Sequence, residues 1–599
     1  MRVEPKAMQV LVHLAENPGV VNKDQLISSV WPDVFVSDDV LPGCVSALRK
    51  AFNDNARNPQ VIGTIHKGGY RLLLPVEWLN GNLETRSNSA PLLVEGSGAQ
   101  FSLQSMLKVV AALVVLCFAF IAWINSRPRY DSIAVLPFVN AANDPDSAYL
   151  SDGIAEGVIN DLSEIPALKV MAWTTVSRYR DRQADVRTLG RQLGVKSVLT
   201  GRLFRQADRI VIKTELVDVN RGSQLWGQQY DHRTADILSL QEQLSRDIGA
   251  NLRIRLTGIE QKKILSRYSA SPEAYQLYLK GRFFWNKRNR EGLLRAIDYF
   301  QQAIRVDPRY AVAYAGLADC YNLLDDWGKT PPRDSFPKAR AAAEKALALD
   351  DSLAEAHTSL AMVHQSYDWD WAAAEQEFKR AIELNPNYPT VHQWYGMFLA
   401  SLQRFKEAES EVKRAEQLDP LSPIIAMAVG EVYAWERRYD DAILQYRKAL
   451  DLNPSFAGAY GNLSSVYEQK KMYSEAIRAS VQAWTLDGEP KFAASLQNAY
   501  SRSGYPAVLR AELDHSLRQR EQGQYRSSIG IAANFAILGD NLNALKWLEK
   551  GYEDHSSSMQ YLAVTPEFDQ LRSNSQFQYW IGILGLPAGV ESTAKISSR

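Results

Sequence analysis

Residues 37–74 read SDDVLPGCVSALRKAFNDNARNPQVIGTIHKGGYRLLL, and the spacing within this stretch decides what the chain can do. Leu41, Val45, Leu48 and Phe52 recur at about 100° per residue, which predicts an amphipathic helix with these side chains on its core face. Ser37 is placed to cap it, with Asp38 and Asp39 favourable in the first turn. The opposite face carries Pro42, Gly43, Ser46, Arg49, Lys50 and Asn53. Small residues there permit close approach to a duplex, Arg can bridge two acceptors on guanine, and Lys can meet phosphate. On these residues alone a solvated helix face is the favoured reading. The balance shifts with residues 61–65 (VIGTI) and 70–74 (YRLLL), two strand-like runs flanking the tight turn His66-Lys67-Gly68-Gly69. A cationic hairpin directly after such a helix predicts a wing.

Upstream, Ala7, Val10, Leu11 and Leu14 mark a first helix that stops at Asn17-Pro18-Gly19, and a second is predicted over 23–30, closed by Trp31-Pro32. Taken together, residues 3–75 resemble the winged helix-turn-helix of the OmpR/PhoB class, specifically that of the membrane-anchored CadC/ToxR-like regulators. Val30-Trp31, Ala47-Leu48-Arg49-Lys50 and Gly69-Tyr70-Arg71 carry the resemblance. It implies double-stranded DNA as partner, with Ser46, Arg49 and Lys50 contacting the major groove from the third helix. Thr64, Lys67 and Arg71 would act from the wing side. That family opens with a small antiparallel sheet packed on the first helix, whereas Met1 here leads almost directly into the helix. Exposed apolar surface is expected on that side. Pro42 falls near the first turn of its helix, where a missing N–H costs least.

Charge is informative only locally. The whole chain of 599 residues carries 68 Lys plus Arg against 68 Asp plus Glu, which taken in bulk counts against nucleic acid. Residues 1–80 also balance, eight against eight. Between Arg49 and Arg71, however, five cations face only Asp54, so a basic patch is confined to the third helix and wing. Affinity from one copy is expected to be modest. Hydrophobic residues at 46% and charged residues at 23% exclude a disordered or collagen-like chain, and the length requires several domains. The three cysteines, Cys44, Cys117 and Cys320, are too dispersed for a disulfide framework or a cysteine zinc site.

Beyond the winged-helix region (1–80), residues 81–105 are rich in Gly, Ser and Asn and read as a flexible tether. Residues 107–124, LKVVAALVVLCFAFIAWI, hold one charge, Lys108, and predict a transmembrane helix spanning about 106–125. Flanking Arg86, Lys108, Arg127 and Arg129 do not orient it, but a DNA-binding amino-terminal domain would place that end in the cytoplasm. The expectation is a single-pass protein of the bacterial inner membrane with its carboxyl-terminal region outside the cytoplasm.

Residues 130–255 alternate strand and helix patterns: strands at 131–138, 168–176, 195–204, 210–219 and 224–230, helices at 147–165 and 187–193. The strand Ile133-Ala134-Val135-Leu136-Pro137-Phe138, the segment 194–203 (GVKSVLTGRL) and Leu225-Trp226 resemble the FlgO-like or TolB amino-terminal-like domain. Trp226 fits a core position better than a ligand site.

From 270 to 490 internal repetition dominates. Pro386, Pro420 and Pro454 are 34 residues apart, and small residues return in step: Gly396 and Gly430, Ala408, Ala442 and Ala476, then Ala415, Ala449 and Ala483. Small residues permit close helix crossing while Tyr433, Tyr446 and Tyr467 fill the space between, so a helix-turn-helix solenoid is predicted. The pattern resembles tetratricopeptide repeats, six over residues 273–488, with 491–599 holding one degenerate repeat and a terminal cap. The resemblance implies a protein or peptide ligand in the groove of the solenoid.

No catalytic pattern emerges. Gly328-Lys329-Thr330 ends like a phosphate loop, but Leu323 stands where its first glycine belongs. His357 and His364 have no carboxylate at ligand spacing in the sequence. No cofactor or metal is expected, and no enzymatic activity. The fold class is thus a multidomain α+β chain: winged helix-turn-helix, single transmembrane helix, small α/β domain and all-α tetratricopeptide solenoid. The functional expectation is a one-component transcriptional regulator that senses a signal or partner through its extracytoplasmic α/β and repeat region and pairs as a homodimer on tandem DNA half-sites; the competing reading is an envelope interaction scaffold with a vestigial or protein-binding winged helix.

Overall fold

A computed structural model describes residues 5–588 apart from 18, 31–39, 53, 56–58, 66–68, 75, 77–129, 141–147, 181–184, 207, 253–270 and 326–329. The chain forms two compact units, residues 1–116 and 117–599.

In the first unit, α1 (Pro5–Glu16), α2 (Lys23–Val30) and α3 (Val40–Phe52) precede an antiparallel hairpin of β1 (Ile62–Ile65) and β2 (Gly69–Leu72). Most of the periodic residues do what their spacing predicts: Ala7, Val10 and Leu14 of α1 and Leu41, Val45 and Leu48 of α3 join Val21, Leu26, Val30, Ile62 and Tyr70 in one core. Phe52, expected on the same face, is instead 45% exposed, because it is the last residue of α3 and extends past that core. Lys6 Nζ donates to the carbonyl of Val30 at 2.6 Å, satisfying an orphan group at the end of α2. Apolar surface is left on the outer side of α1, where Met8 and Val12, one turn apart, are 45% and 40% exposed.

The expected membrane span is corrected. Residues 107–124 and the tether at 81–105 lie outside the described residues, and among the described residues no helix is long and apolar enough to cross a membrane. The apolar helix Pro423–Trp435, for example, has 13 residues, against about 20 needed to span the hydrocarbon layer. The architecture is accordingly a winged helix, a small α/β domain and an all-α solenoid. The single-pass inner-membrane location, which rested on that helix, has no support.

In the second unit the α/β domain is built on β3 (Ser132–Val135), β4 (Val139–Asn140), β5 (Lys169–Val170), β6 (Ser197–Gln206), β7 (Arg209–Asp218) and β8 (Gln224–Arg233). The sheet order is β5-β3-β6-β7-β8, with β4 also on β6; β3 runs parallel to β5 and β6, β4 parallel to β6, and β7 antiparallel to both β6 and β8. Helices α4 (Ala148–Ser163) and α7 (Ile237–Asn251) bury Ile154, Val158, Leu162, Leu240, Leu244 and Ile248 in the same core. Trp226 packs partly buried against it. The strand expected over 168–176 is cut to two residues. After Val170 the chain turns into the short helix α5 (Trp173–Val176) because it docks on the solenoid: Ala172 N donates to the Leu418 carbonyl at 3.1 Å and Thr175 Oγ1 to Asp419 at 2.6 Å.

The solenoid holds eight antiparallel helix pairs between Pro272 and Glu553. The third to sixth pairs join Ala354–Val363 to Trp371–Leu384, Pro389–Ser401 to Phe405–Leu418, Pro423–Trp435 to Tyr439–Leu452 and Ala457–Gln469 to Tyr473–Leu486. Each first helix ends on a residue in the left-handed region, at Trp369, Gln403, Arg437 and Lys471, once per 34-residue period. Within a pair, the small-residue rule is steric: a Cβ on Gly430 would sit 2.5 Å from the ring of Tyr446. After Leu486 two further pairs follow, Pro490–Ser503 with Tyr505–Glu521 and Ser528–Ile537 with Asn541–Glu553.

Both edges of this solenoid are occupied from within the chain. On the links between successive pairs sits the α/β domain: Asn387 Nδ2 donates to the carbonyls of Ser163, Ile165 and Leu168 at 3.0, 3.2 and 3.0 Å, and Arg178 to that of Leu452 at 2.8 Å. Arg282, in the first helix, adds a largely buried ion pair with Glu156 at 2.6 Å. On the turns within pairs lie residues 555–587, the end of the described chain. Arg437 binds Asp569 at 2.6 Å and the Val564 carbonyl at 2.7 Å, Trp435 stacks on Tyr561 at 4.5 Å, and Trp371 Nε1 donates to the Leu584 carbonyl at 2.7 Å. The groove expected to await a peptide is therefore covered along one side by the protein's own terminal segment. His357 and His364 each take a separate carboxylate, Glu377 and Asp368.

Candidate nucleic-acid interface

Burial of Leu41, Cys44, Val45 and Leu48 fixes the rotation of α3. The opposite face then leaves Pro42, Gly43, Ser46 and Lys50 exposed. Pro42 is the third helical residue, within the first turn, as its missing N–H requires. Ser37 and Asn53 lie outside the described residues, as do His66, Lys67 and Gly68 at the tip of the hairpin. Of the remaining wing residues, Thr64 and Arg71 are exposed on β1 and β2, where Gly63 pairs with Arg71 and Thr64 with Tyr70.

Arg49 is brought onto the wing. Its Nη2 donates to the Ile62 carbonyl at 2.6 Å and to Thr64 Oγ1 at 2.9 Å, so two of the expected contact residues bind each other. Asp54 completes the junction from the end of α3. Its two carboxylate oxygens accept from the backbone of Gln60 at 2.6 Å and Ile62 at 2.9 Å. Those two N–H donors, with a smaller contribution from the Arg49 charge, hold the carboxyl below its ordinary range. Ile62, buried in the core, thus has its N–H held by Asp54 and its C=O by Arg49. Helix and wing are thus tied together, with Ile62 bonded on both sides and Gln60 and Thr64 adding a bond each.

A second tie fixes the far strand. Val21 and Tyr70 exchange backbone hydrogen bonds at 2.8 and 3.0 Å, adding a third, one-residue rung to the hairpin. The adjacent Gly69 has φ +123°, and a Cβ there would stand 2.0 Å from the Val21 carbonyl oxygen. Glycine is required by that approach.

What results is an exposed helix face with small residues and a cation, set beside a two-stranded ribbon bearing a further cation, both immobilised on one core. Such a surface can lay the helix in a major groove while the ribbon meets the backbone alongside. Asp54 is the component that residue type did not reveal. A single acid at the end of a basic helix reads as a charge defect until its position, six and eight residues before two backbone donors, is seen in three dimensions.

Comparison with known proteins assigns the class. Residues 1–72 match the family of transcriptional regulatory proteins' C-terminal domain, and residues 370–432 and 432–490 match tetratricopeptide repeat families. Residues 129–247 match the second domain of HilA/YgeH-like transcriptional regulators. That match replaces the expected FlgO- or TolB-like assignment, which finds no support. In these parts the chain is therefore similar to HilA-like and CadC-like regulators, with a winged helix of the transcriptional-regulator type and tetratricopeptide repeats.

Particular relatives follow from this. The chain is 34% identical to "Putative adenylate cyclase 3" of Rhizobium meliloti (strain 1021) over 237 residues, 39% of this chain and 40% of that protein. It is 24% identical over 417 residues to the transcriptional regulator HilA of Salmonella paratyphi A (strain ATCC 9150 / SARB42), 68% of this chain and 65% of HilA. The transcriptional activator CadC of Escherichia coli (strain K12) is 38% identical over 80 residues, 13% of this chain and 16% of CadC. The matched parts thus span less than two thirds of each relative.

Proposed function

We propose that this protein is a DNA-binding transcriptional regulator that acts without enzymatic activity. The observation that carries the reading is the joined helix and wing: an exposed α3 face locked beside β1 and β2 through Arg49, Ile62 and Asp54. In this reading Ser46 and Lys50 approach the major groove, while Arg71, with Lys67, meets phosphates. Arg49 holds the wing at the correct distance from α3. The matched domain families and the names of HilA and CadC support regulation, and no catalytic pattern emerges from the sequence.

Two copies on tandem half-sites would compensate for the modest charge of one winged helix through effective concentration. The repeats would supply a protein-binding surface. Because residues 555–587 cover the turns of the third to fifth pairs, a partner would use the faces they leave open.

Selection of bound duplexes from a random-sequence pool by the full chain tests the proposal. A recovered motif of one or two half-sites is the expected outcome. Recovery of no motif, or of the same sequences by a Ser46→Ala, Lys50→Ala, Arg71→Ala variant, would refute it.

A further inference from the structure

At one end of the six-stranded sheet, where β3 and β6 begin and β5 lies alongside, the α/β domain has an open cleft of about 530 Å³. Its walls include Asp131, Lys169, Arg191 and Lys196. The one carboxylate is already engaged, since Lys196 binds Asp131 at 2.7 Å. The ammonium of Lys169 and the guanidinium of Arg191 have no hydrogen-bond or ion-pair partner among the described residues, and Lys169 is only half exposed to the water that would otherwise solvate it.

The surroundings add positive charge. Arg187, one turn before Arg191 on α6 (Val186–Gln192), donates to the Asn220 carbonyl at 3.0 Å, and Asn220 lines the cleft. From the solenoid, Arg414 lies close enough to Lys169 that its charge, after burial, lowers the lysine's pKa. With Asp131 paired to Lys196, the cleft still holds Lys169 and Arg191 in excess, and a folded protein that gathers surplus cations carries a repulsion that an anion relieves. The volume lies within the range of small-ligand sites, and the cleft sits by the boundary between two packed bodies, where such sites concentrate.

We propose that this cleft binds a small soluble anion bearing two or more phosphoryl groups, held by Lys169, Arg191 and Lys196. Two or three cations within one cleft of this size suit a multiply charged ligand better than a monocarboxylate. Lys169 also begins the segment 169–178 that grips the solenoid through Thr175 and Arg178, so occupancy would be felt at that junction. The inference stands apart from the DNA-binding proposal, because it concerns the other compact unit.

Isothermal titration of the full chain with inorganic pyrophosphate and with ATP, and with succinate as a phosphate-free dianion, tests it. Saturable binding of one pyrophosphate or ATP per chain is expected, with no binding of succinate. Lys169→Met and Arg191→Met should each weaken binding about tenfold. Arg510→Met, an exposed arginine outside the cleft, should leave it unchanged, and far-UV circular dichroism should match in all variants. Absence of saturable binding to either phosphate probe, equal binding of succinate, or equal weakening by Arg510→Met would overturn the proposal.

Discussion

The guanidinium of Arg49 joins the third helix to the wing, and its replacement separates two effects that a surface arginine would not. Arg49→Leu removes donors to the Ile62 carbonyl and Thr64 hydroxyl, a loss of about 1–2 kcal/mol for charge-assisted hydrogen bonds that water can partly replace. Hydrogen exchange of the β1 amides should accelerate accordingly, with α1 protected as before. Asp54 gives the same junction a pH dependence. Its pKa is lowered by folding, so its stabilisation is full above the ordinary carboxylate range and is lost as pH falls through the folded value. Acidification below about pH 4 should release protection of the Ile62 amide, and Asp54→Asn should abolish that transition while lowering protection at neutral pH. A protection factor of the Ile62 amide that stays constant through this pH range in the native protein would contradict the assignment. The face of α3 was legible from sequence because apolar spacing alone sets helix rotation. The fate of Arg49 was not, since it depends on how β1 returns past the helix end.

Elements in this chain are held by close approaches that a single methyl group would prevent. Gly69→Ala would drive a Cβ into the Val21 carbonyl in a backbone region unfavourable for alanine, at a cost of about 3 kcal/mol, readable as a lowered melting transition of the first unit. Gly430→Ala would overpack Tyr446, which is fully buried, and cost about 1–3 kcal/mol in the solenoid. In the sixth pair, burial raises the Glu468 pKa to about 8, with the Glu567 charge adding to the effect. A carboxyl so raised stabilises the fold fully only below its ordinary pKa, and the contribution disappears as pH rises through 8. Glu468→Gln should therefore leave thermal stability near pH 5 almost unchanged and raise it by on the order of 1 kcal/mol at pH 9. The six-pair frame was readable because Gly and Ala recur with the aromatic residues they accommodate. It faded after Leu486 because the position held by Gly396 and Gly430 becomes Ser464 and then Asn498, two periods after Gly430, so the pair at 490–521 packs without that signature.

At the scale of the molecule, the second unit is a composite in which the α/β domain and the solenoid share buried polar contacts. Asn387→Leu would leave the carbonyls of Ser163, Ile165 and Leu168 without their donor in a buried seam, costing about 2–4 kcal/mol. Calorimetry should show the single transition of the second unit split into two. That seam was invisible in sequence, since Asn385 and Asn387 look like ordinary turn residues; their partners lie more than two hundred positions away. The same distance explains why the groove seemed open, because nothing in residues 555–587 announces what they pack against. The central claim, however, concerns the first unit, and salt-dependent mobility of a selected duplex tests it most directly. The full chain should retard its duplex specifically, with affinity falling as salt rises, and Lys50→Ala or Arg71→Ala should each reduce the logarithmic salt slope by about 1. Retardation that is absent, or whose salt slope is unchanged in both variants, would contradict the account.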